Sequence, residues 1–290
     1  MVLSSQTIKE LRDKSGAGML DCKKALEESE GNVEKAIEWL RKKGINTANK
    51  KASRDASDGL ITAKIKDGMA VMLEINAETD FVAKNEVFTD FCENLSLTCL
   101  NNDVQDINSL SNLNFVGTDK KVCDTLTDLI AKLGENIVIK KFIKLSDKTQ
   151  KVQKYLHNSV NENSGKIGVL LSYECDELND KVTDFSKNLC MQIAATNPKS
   201  VDRKNLDPEL VEKEEVIFRE QLNNSGKPDE IINKIVEGKI NKFYEEVCLD
   251  EQIFVMDGKI KINKLISNFN DENSFNFRII NFYIFKLGQE

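Results

Sequence analysis

One histidine stands among 290 residues. That scarcity excludes a histidine-based metal cluster, and it forces any Ser–His or Cys–His nucleophile system to use His157. No G-x-x-x-x-G-K-[ST] or G-x-G-x-x-G stretch occurs, which removes the commonest nucleotide-binding loops. Carboxylates are abundant but unclustered, so no hydrolytic pair can be nominated. The seven cysteines, Cys22, Cys92, Cys99, Cys123, Cys175, Cys190 and Cys248, include no C-x-x-C pair, so neither a disulfide framework nor a zinc site is indicated. Buried, reduced thiols are expected instead. "MVLSSQTIKE" lacks the apolar core of a signal peptide, and the longest apolar run is broken by Arg278 and Asn281. A cytoplasmic chain without membrane attachment is expected.

Positive charge is also short: the formal net charge is -7. A surface that coats nucleic acid needs clustered cations, so no direct nucleic-acid partner is expected. Residues 1–55 hold 12 Lys and Arg against 9 Asp and Glu, with Arg41-Lys42-Lys43 and Lys50-Lys51 close together. The ordinary reading of such a run is a solvated helix end and linker.

What remains is periodicity. With 40% hydrophobic residues and only 3 prolines, the chain can fill real cores and leans helical, with room for strands. Residues 1–45 predict three short helices. Thr7 with Glu10 fits a capping box, "SGAGML" a tight loop, and Asp21 and Asn32 further caps; Gly31 ends the second helix and Gly44 closes the unit. Residues 46–58 read as a polar linker. From Leu60 the period changes to two: Ile61, Ala63 and Ile65, an Asp67-Gly68 turn, then Met69, Val71, Leu73 and Ile75 form a hairpin. A helix carrying Phe88, Phe91, Leu95 and Cys99 follows, then another over 119–133, then the strand "NIVIKKFIKL". "KIGVLLSYE" and a helix with Leu178, Val182, Phe185, Leu189 and Ile193 inside repeat the strand-to-helix order, a weak sign of two related subdomains at 59–150 and 151–290.

Between about Pro208 and Val247 two long helices carry thin apolar stripes, Leu210, Ile217 and Leu222 on one and Ile231, Ile235 and Phe243 on the other. Such stripes suit an antiparallel coiled-coil hairpin with a turn at "NSGKP". The final strand alternates, with Phe275, Phe277, Ile279, Tyr283, Phe285 and Leu287 on one face.

Two stretches, "LRDKSGAGMLDCKKAL" (Leu11 to Leu26) and "EINAETDFVAKNEVF" (Glu74 to Phe88), closely resemble the signature segments of the bacterial elongation factor Ts family. "YLH", "GKIGVLL", "MQIAATNP" and "SGKPDEIINKIVEGKINKFYEEVCL" extend the resemblance over almost the whole chain in the family's order. It implies an α+β protein with a UBA-like three-helix N-terminal domain, a two-subdomain core of antiparallel sheets and an inserted coiled-coil hairpin. It also implies a guanine-nucleotide exchange factor without covalent catalysis, cofactor or metal, whose partner is the GTPase elongation factor Tu. The family's motif for displacing magnesium from that partner falls on Thr79, Asp80, Phe81 and Val82. Further contacts fall on His157 and on Leu11, Arg12, Gly16, Ala17, Gly18 and Met19, with Leu11 and Met19 expected chiefly in the small core. After His157 the family has a short glycine-containing loop, whereas "NSVNENSG" is longer and polar. Some members carry a further helical module after the last strand, whereas this sequence stops at "KLGQE", so contacts made by that module are expected to be missing.

Thr-Asp-Phe occurs three times, at 79–81, 89–91 and 183–185. Phe91 and Phe185 fall on apolar helix stripes, so only the first copy, at a strand-to-helix junction, is expected to project. Competing readings are a UBA-like adaptor or scaffold without exchange activity, and an enzyme using His157. The hairpin offers a surface for self-association.

Overall fold

The computed structural model describes residues 4–147, 149–223 and 228–289. Helices α1 (Ser5–Ser15), α2 (Met19–Glu28) and α3 (Val33–Lys51) close around Leu11, Cys22, Ala25, Leu26 and Ala36. Asn32 caps α3 as expected, accepting from Lys35 N at 3.0 Å. The other two expected caps move. Ser4, extended at the start of α1, accepts from Thr7 N at 3.1 Å, and Gly18 precedes α2, leaving Asp21 in its first turn to pair with Lys43.

The linker expected at 46–58 is largely helix. Gly44 lies inside α3 rather than after it, on the face turned to the helix over 122–133. A Cβ there would sit 3.6 Å from the Ala131 Cβ. Arg41 pairs with Asp124 at 3.0 Å and Lys51 Nζ reaches the Gly134 carbonyl, so α3 is seated on the core along its length. Only 52–57 remain as connection.

The core is built twice. The first round is β1 (Asp58–Lys66), β2 (Met69–Ala77), α4 (Asp80–Ala83), α5 (Glu86–Asn101), α6 (Ile107–Asn112), α7 (Val122–Leu133) and β3 (Ile137–Leu145). The second is β4 (Lys151–His157), β5 (Ser164–Gly165), β6 (Ile167–Glu174), α8 (Asp180–Thr196), α9 (Pro208–Asn223), α10 (Asp229–Val247), a 3-10 turn (Leu249–Glu251), α11 (Ile262–Asn273) and β7 (Arg278–Lys286). All strand pairs are antiparallel, in orders β3-β2-β1-β5 and β4-β6-β7. The fold is therefore α+β.

Equivalent details show how close the two rounds are. The loop before α7 closes with Phe115 N on Lys120 O at 2.8 Å, and the loop before α11 with Phe254 N on Ile260 O at 2.8 Å. β3 carries a bulge opposite Glu74/Ile75, and β7 one opposite Ser172/Tyr173. What distinguishes the second round is the pair α9 and α10. Its base is pinned where Lys199 N donates to Val247 O at 2.8 Å and Leu249 N to Ser200 O at 2.9 Å. Along the pair Arg219 Nη1 reaches Asn233 at 2.8 Å and Lys239 reaches Gln221 at 2.8 Å. The turn expected between them, apart from Pro228, lies outside the described residues.

Helices α5 and α7 bury Phe88, Phe91, Leu95, Val122 and Leu129 against Leu60, Val71, Leu73 and Ile75. Helices α8 and α11 do the same for the second sheet through Leu189, Ile193 and Ile262. The other faces of the sheets meet through Ile61, Ala63, Ala70, Met72 and Leu170. Gly168 marks the closest approach: a Cβ there would lie 2.5 Å from Ile61 Cγ2 and 2.7 Å from Met72 Sδ.

Three expected faces change. The bulge in β7 adds one residue, which flips the alternation; Phe275, Phe277 and Ile279 join the helix-side core, whereas Tyr283, Phe285 and Leu287 face the other sheet. In the helical pair the inner stripes differ from those expected: α10 buries Ile232 and Val236 with Ile231 exposed, one residue further on, and on α9 Leu210 and Ile217 are exposed. Leu178 precedes α8 and is exposed. Six cysteines are buried free thiols and Cys123 is exposed; burial pushes Cys99 up to about 12.

Candidate functional site

Strand β2 ends at Ala77, and the next residues are locked to the entrance of β3 by a reciprocal exchange. The Glu78 carboxylate accepts the Asn136 N–H at 2.6 Å, with Arg54 Nη1 at 3.4 Å. In return the Glu135 carboxylate accepts both Thr79 N at 3.0 Å and Thr79 Oγ1 at 2.7 Å. Asn136 Nδ2 completes the clamp on the Arg54 carbonyl at 2.8 Å. The Asn136 N–H, foremost, holds the Glu78 carboxyl below the usual carboxylate range.

Thr79 is extended (φ -134°, ψ 158°) and its hydroxyl accepts Val82 N at 3.4 Å, starting the single turn of α4. Val82 and Ala83 turn into the core beside Phe88. Their burial aims the first half of that turn outward: Phe81 is 82% exposed. Asp80 projects beside it and pairs with Lys84 at 2.7 Å, and that contact lowers its pKa. Of the four motif residues, then, Thr79 and Val82 anchor while Asp80 and Phe81 present. The other two Thr-Asp-Phe copies are packed, Phe91 on Phe115 at 5.2 Å between ring centroids and Phe185 on Phe269 at 3.9 Å.

His157 closes β4, exposed, with Nδ1 3.1 Å from Tyr155 Oη. Its carbonyl accepts Lys166 N at 3.0 Å. The same lysine reaches Asp58 with its ammonium and donates to the Gly59 carbonyl at 3.1 Å, and its charge helps lower the Asp80 pKa. Lys166 thus ties the end of β4 at His157 to the start of β1. The longer loop after His157 does not hang free: β5 folds it back onto β1, with Thr62 Oγ1 and Ser164 Oγ 3.1 Å apart.

In the N-terminal module Leu11 is buried, as expected, and Arg12 is exposed. Gly16 adopts φ 67° to end α1, its N–H on the Arg12 carbonyl at 2.8 Å. Ala17 is half-buried and accepts the Cys22 thiol at 3.6 Å; Gly18 precedes α2. Met19 departs from its expected core role, being 60% exposed. It lies in the first turn of α2, one turn short of Cys22, past the end of the buried cluster. Leu20, which sequence reasoning passed over, is 82% exposed beside it. Its signal was a second apolar residue beside Met19 at the helix start, since adjacent helix positions face different ways.

A cleft of about 790 Å³ is lined by the Gly16–Gly18 loop and by parts of α3, α5 and α7, and neither Asp80 nor Phe81 lines it. Among the described residues no three His, Cys, Asp or Glu converge to hold a metal, and no helix is long and apolar enough to cross a membrane. The class of protein so defined is an α+β chain whose candidate site is a rigid protrusion, an aromatic beside a carboxylate, rather than a cavity.

Comparison with known proteins gives that class a family. The family model described as Elongation factor TS matches residues 78–289. Elongation factor Ts of Bartonella quintana is 42% identical over 290 residues, covering 100% of this chain and 94% of its own length. Those of Rhodospirillum centenum and Clostridium acetobutylicum are each 41% identical, over 99% of this chain and 93% of their own lengths. The chain belongs to the elongation factor Ts family of translation elongation factors.

Proposed function

We propose that the chain binds the GDP form of elongation factor Tu and promotes GDP release, so that GTP can take its place. The exposure of Phe81 on a clamped turn whose second half, Val82 and Ala83, is buried is the observation that carries this reading. An aromatic ring held in water without packing neighbours is costly to leave bare and suits an apolar pocket on a partner. Asp80 beside it suits the neighbourhood of a magnesium ion and its waters, since hard cations draw carboxylate oxygens. We assign Thr79 and Val82 to holding this pair in place and Asp80 and Phe81 to disturbing the partner's magnesium and phosphate site. By linkage, a factor that binds the nucleotide-free GTPase better than the GDP form weakens GDP by the same factor. No covalent step is needed.

His157 is assigned a further contact with the partner. Arg12, Met19 and the Gly16-Ala17-Gly18 loop are assigned a separate docking point on a UBA-like module, with Leu20 added to it; Leu11 supports it from within. On this reading the domains are the three helices seated by α3, the subdomains 59–150 and 151–290, and a coiled-coil hairpin of α9 and α10. The test is timed release of labelled GDP from elongation factor Tu. Acceleration by catalytic amounts of the chain is expected; binding without acceleration would favour the adaptor reading.

A further inference from the structure

Glu74 is fully buried in the middle of β2, on the face turned toward the second sheet. Burying a carboxylate is costly and pairing offsets the cost only in part, and the fold does not demand it here. The equivalent position of the second round, by its place before the bulge, is Ser172, whose hydroxyl is satisfied by the Asn281 carbonyl at 3.1 Å.

The surroundings of Glu74 show what the charge holds. The β3 bulge makes Lys140 the extra residue, so two consecutive lysines reach one carboxylate: Lys140 Nζ lies 3.6 Å from Oε1 and Lys141 Nζ 3.3 Å from Oε2. Oε1 also accepts the Gly288 N–H at 3.1 Å and Asn76 Nδ2 at 3.2 Å. Both lysines meanwhile donate to the Gln289 carbonyl, at 3.4 and 2.9 Å. The residues after β7, the last strand of the second round, are thereby clasped to β2 and β3 of the first.

This clasp is continuous with the candidate site. Asn76 stands two residues before Glu78 and donates also to the Asp58 carbonyl at 3.1 Å. Asp58 holds Lys166, whose N–H is on the His157 carbonyl at 3.0 Å. One polar chain therefore runs from the C-terminal residues through Glu74 and Asn76 to the exit of β2 and the edge carrying His157.

We propose that Glu74 is a positioning residue: with Lys140 and Lys141 it clasps residues 288–289 onto the first sheet and so fixes the α4 turn and His157 relative to each other for docking. The inference rests on the exchange reading above. It is tested with Glu74→Gln, which keeps the shape and removes the charge, with a chain ending at Leu287, which keeps the charge and removes the clasped residues, and with both changes together.

Amide hydrogen exchange at residues 78–83, measured in the free protein well below its melting temperature, should quicken in each variant. GDP release at saturating factor should slow about fivefold in each, and no further in the double variant, because one unit is broken once. Unchanged amide exchange at 78–83, or defects that multiply in the double variant, would overturn the clasp. A wild-type chain that left GDP release unchanged would sink the exchange reading and with it the clasp's role. A stimulating wild type matched by an equally stimulating Glu74→Gln would sink the clasp alone.

Discussion

At residues 78–81 and 176–179 the two rounds of the core make the same turn from a strand into a helix, and they finish it differently. In the first, Glu78 accepts the Asn136 N–H; in the second the polarity is reversed, Asp176 N donating to Asn276 Oδ1 at 2.9 Å. Asn179 then caps the long helix α8 directly, accepting Val182 N at 3.1 Å, and the residue left outside is Leu178, 66% exposed. In the first round a separate turn is inserted, clamped by Glu135, and the residue left outside is Phe81. The fold can thus make this junction without an aromatic, an extra turn or a second carboxylate clamp. Those additions are particular to the first junction.

The largest effect should come from the seam where the rounds meet. Gly168→Leu would force atoms against Ile61 and Met72, and a destabilisation of about 3 kcal/mol or more is expected. Thermal melting should show it as a fall of roughly 6 °C or more. A variant melting like the parent would show the sheets to be less tightly joined than described.

A smaller, opposite effect is expected where the N-terminal module meets only the first round. Gly44 is helical and a methyl there would make ordinary contact with Ala131. Gly44→Ala should therefore stabilise by about 0.5–1 kcal/mol. Loss of stability on denaturant unfolding would instead show that α7 lies too close to α3 to admit a methyl.

The smallest effect concerns the reversed polarity of the junctions. Glu78 has its carboxyl pKa lowered by the Asn136 N–H. A lowered folded value means that its stabilisation is complete above the ordinary carboxylate range and is lost as pH falls through the lowered value. Melting temperatures between neutral pH and about pH 3 should therefore converge slightly in Glu78→Gln, relative to the parent. An identical pH profile would remove Glu78 from the clamp.

Much of this was legible in sequence, and the failures have physical causes. Period-two alternation gave the β1–β2 hairpin, and Phe88, Phe91, Leu95 and Cys99 gave the core face of α5. Gly44 misled because a glycine that ends a helix and one inside it that faces a neighbour look alike until the neighbour is known. Leu178 misled because the helical spacing extends back beyond Asn179, where α8 begins. The alternating face of β7 failed at a bulge, which leaves no mark on composition. At the site, the junction position of Thr79-Asp80-Phe81 separated it from the two packed copies. Glu135 and Glu74 stayed hidden: each acts on a residue brought close only by strand pairing, and a lone acidic residue in a sequence announces no partner.

The comparison of the junctions is tested most directly by one assay: labelled GDP release from elongation factor Tu with the parent, Phe81→Ala and Leu178→Ala in parallel. Phe81→Ala should lose about thirtyfold or more of the stimulated rate, the loss of an aromatic anchor, while Leu178→Ala stays within about twofold, as peripheral contacts do. Equal rates for the parent and Phe81→Ala, or a larger loss in Leu178→Ala, would contradict the assignment of the exchange site to the first junction.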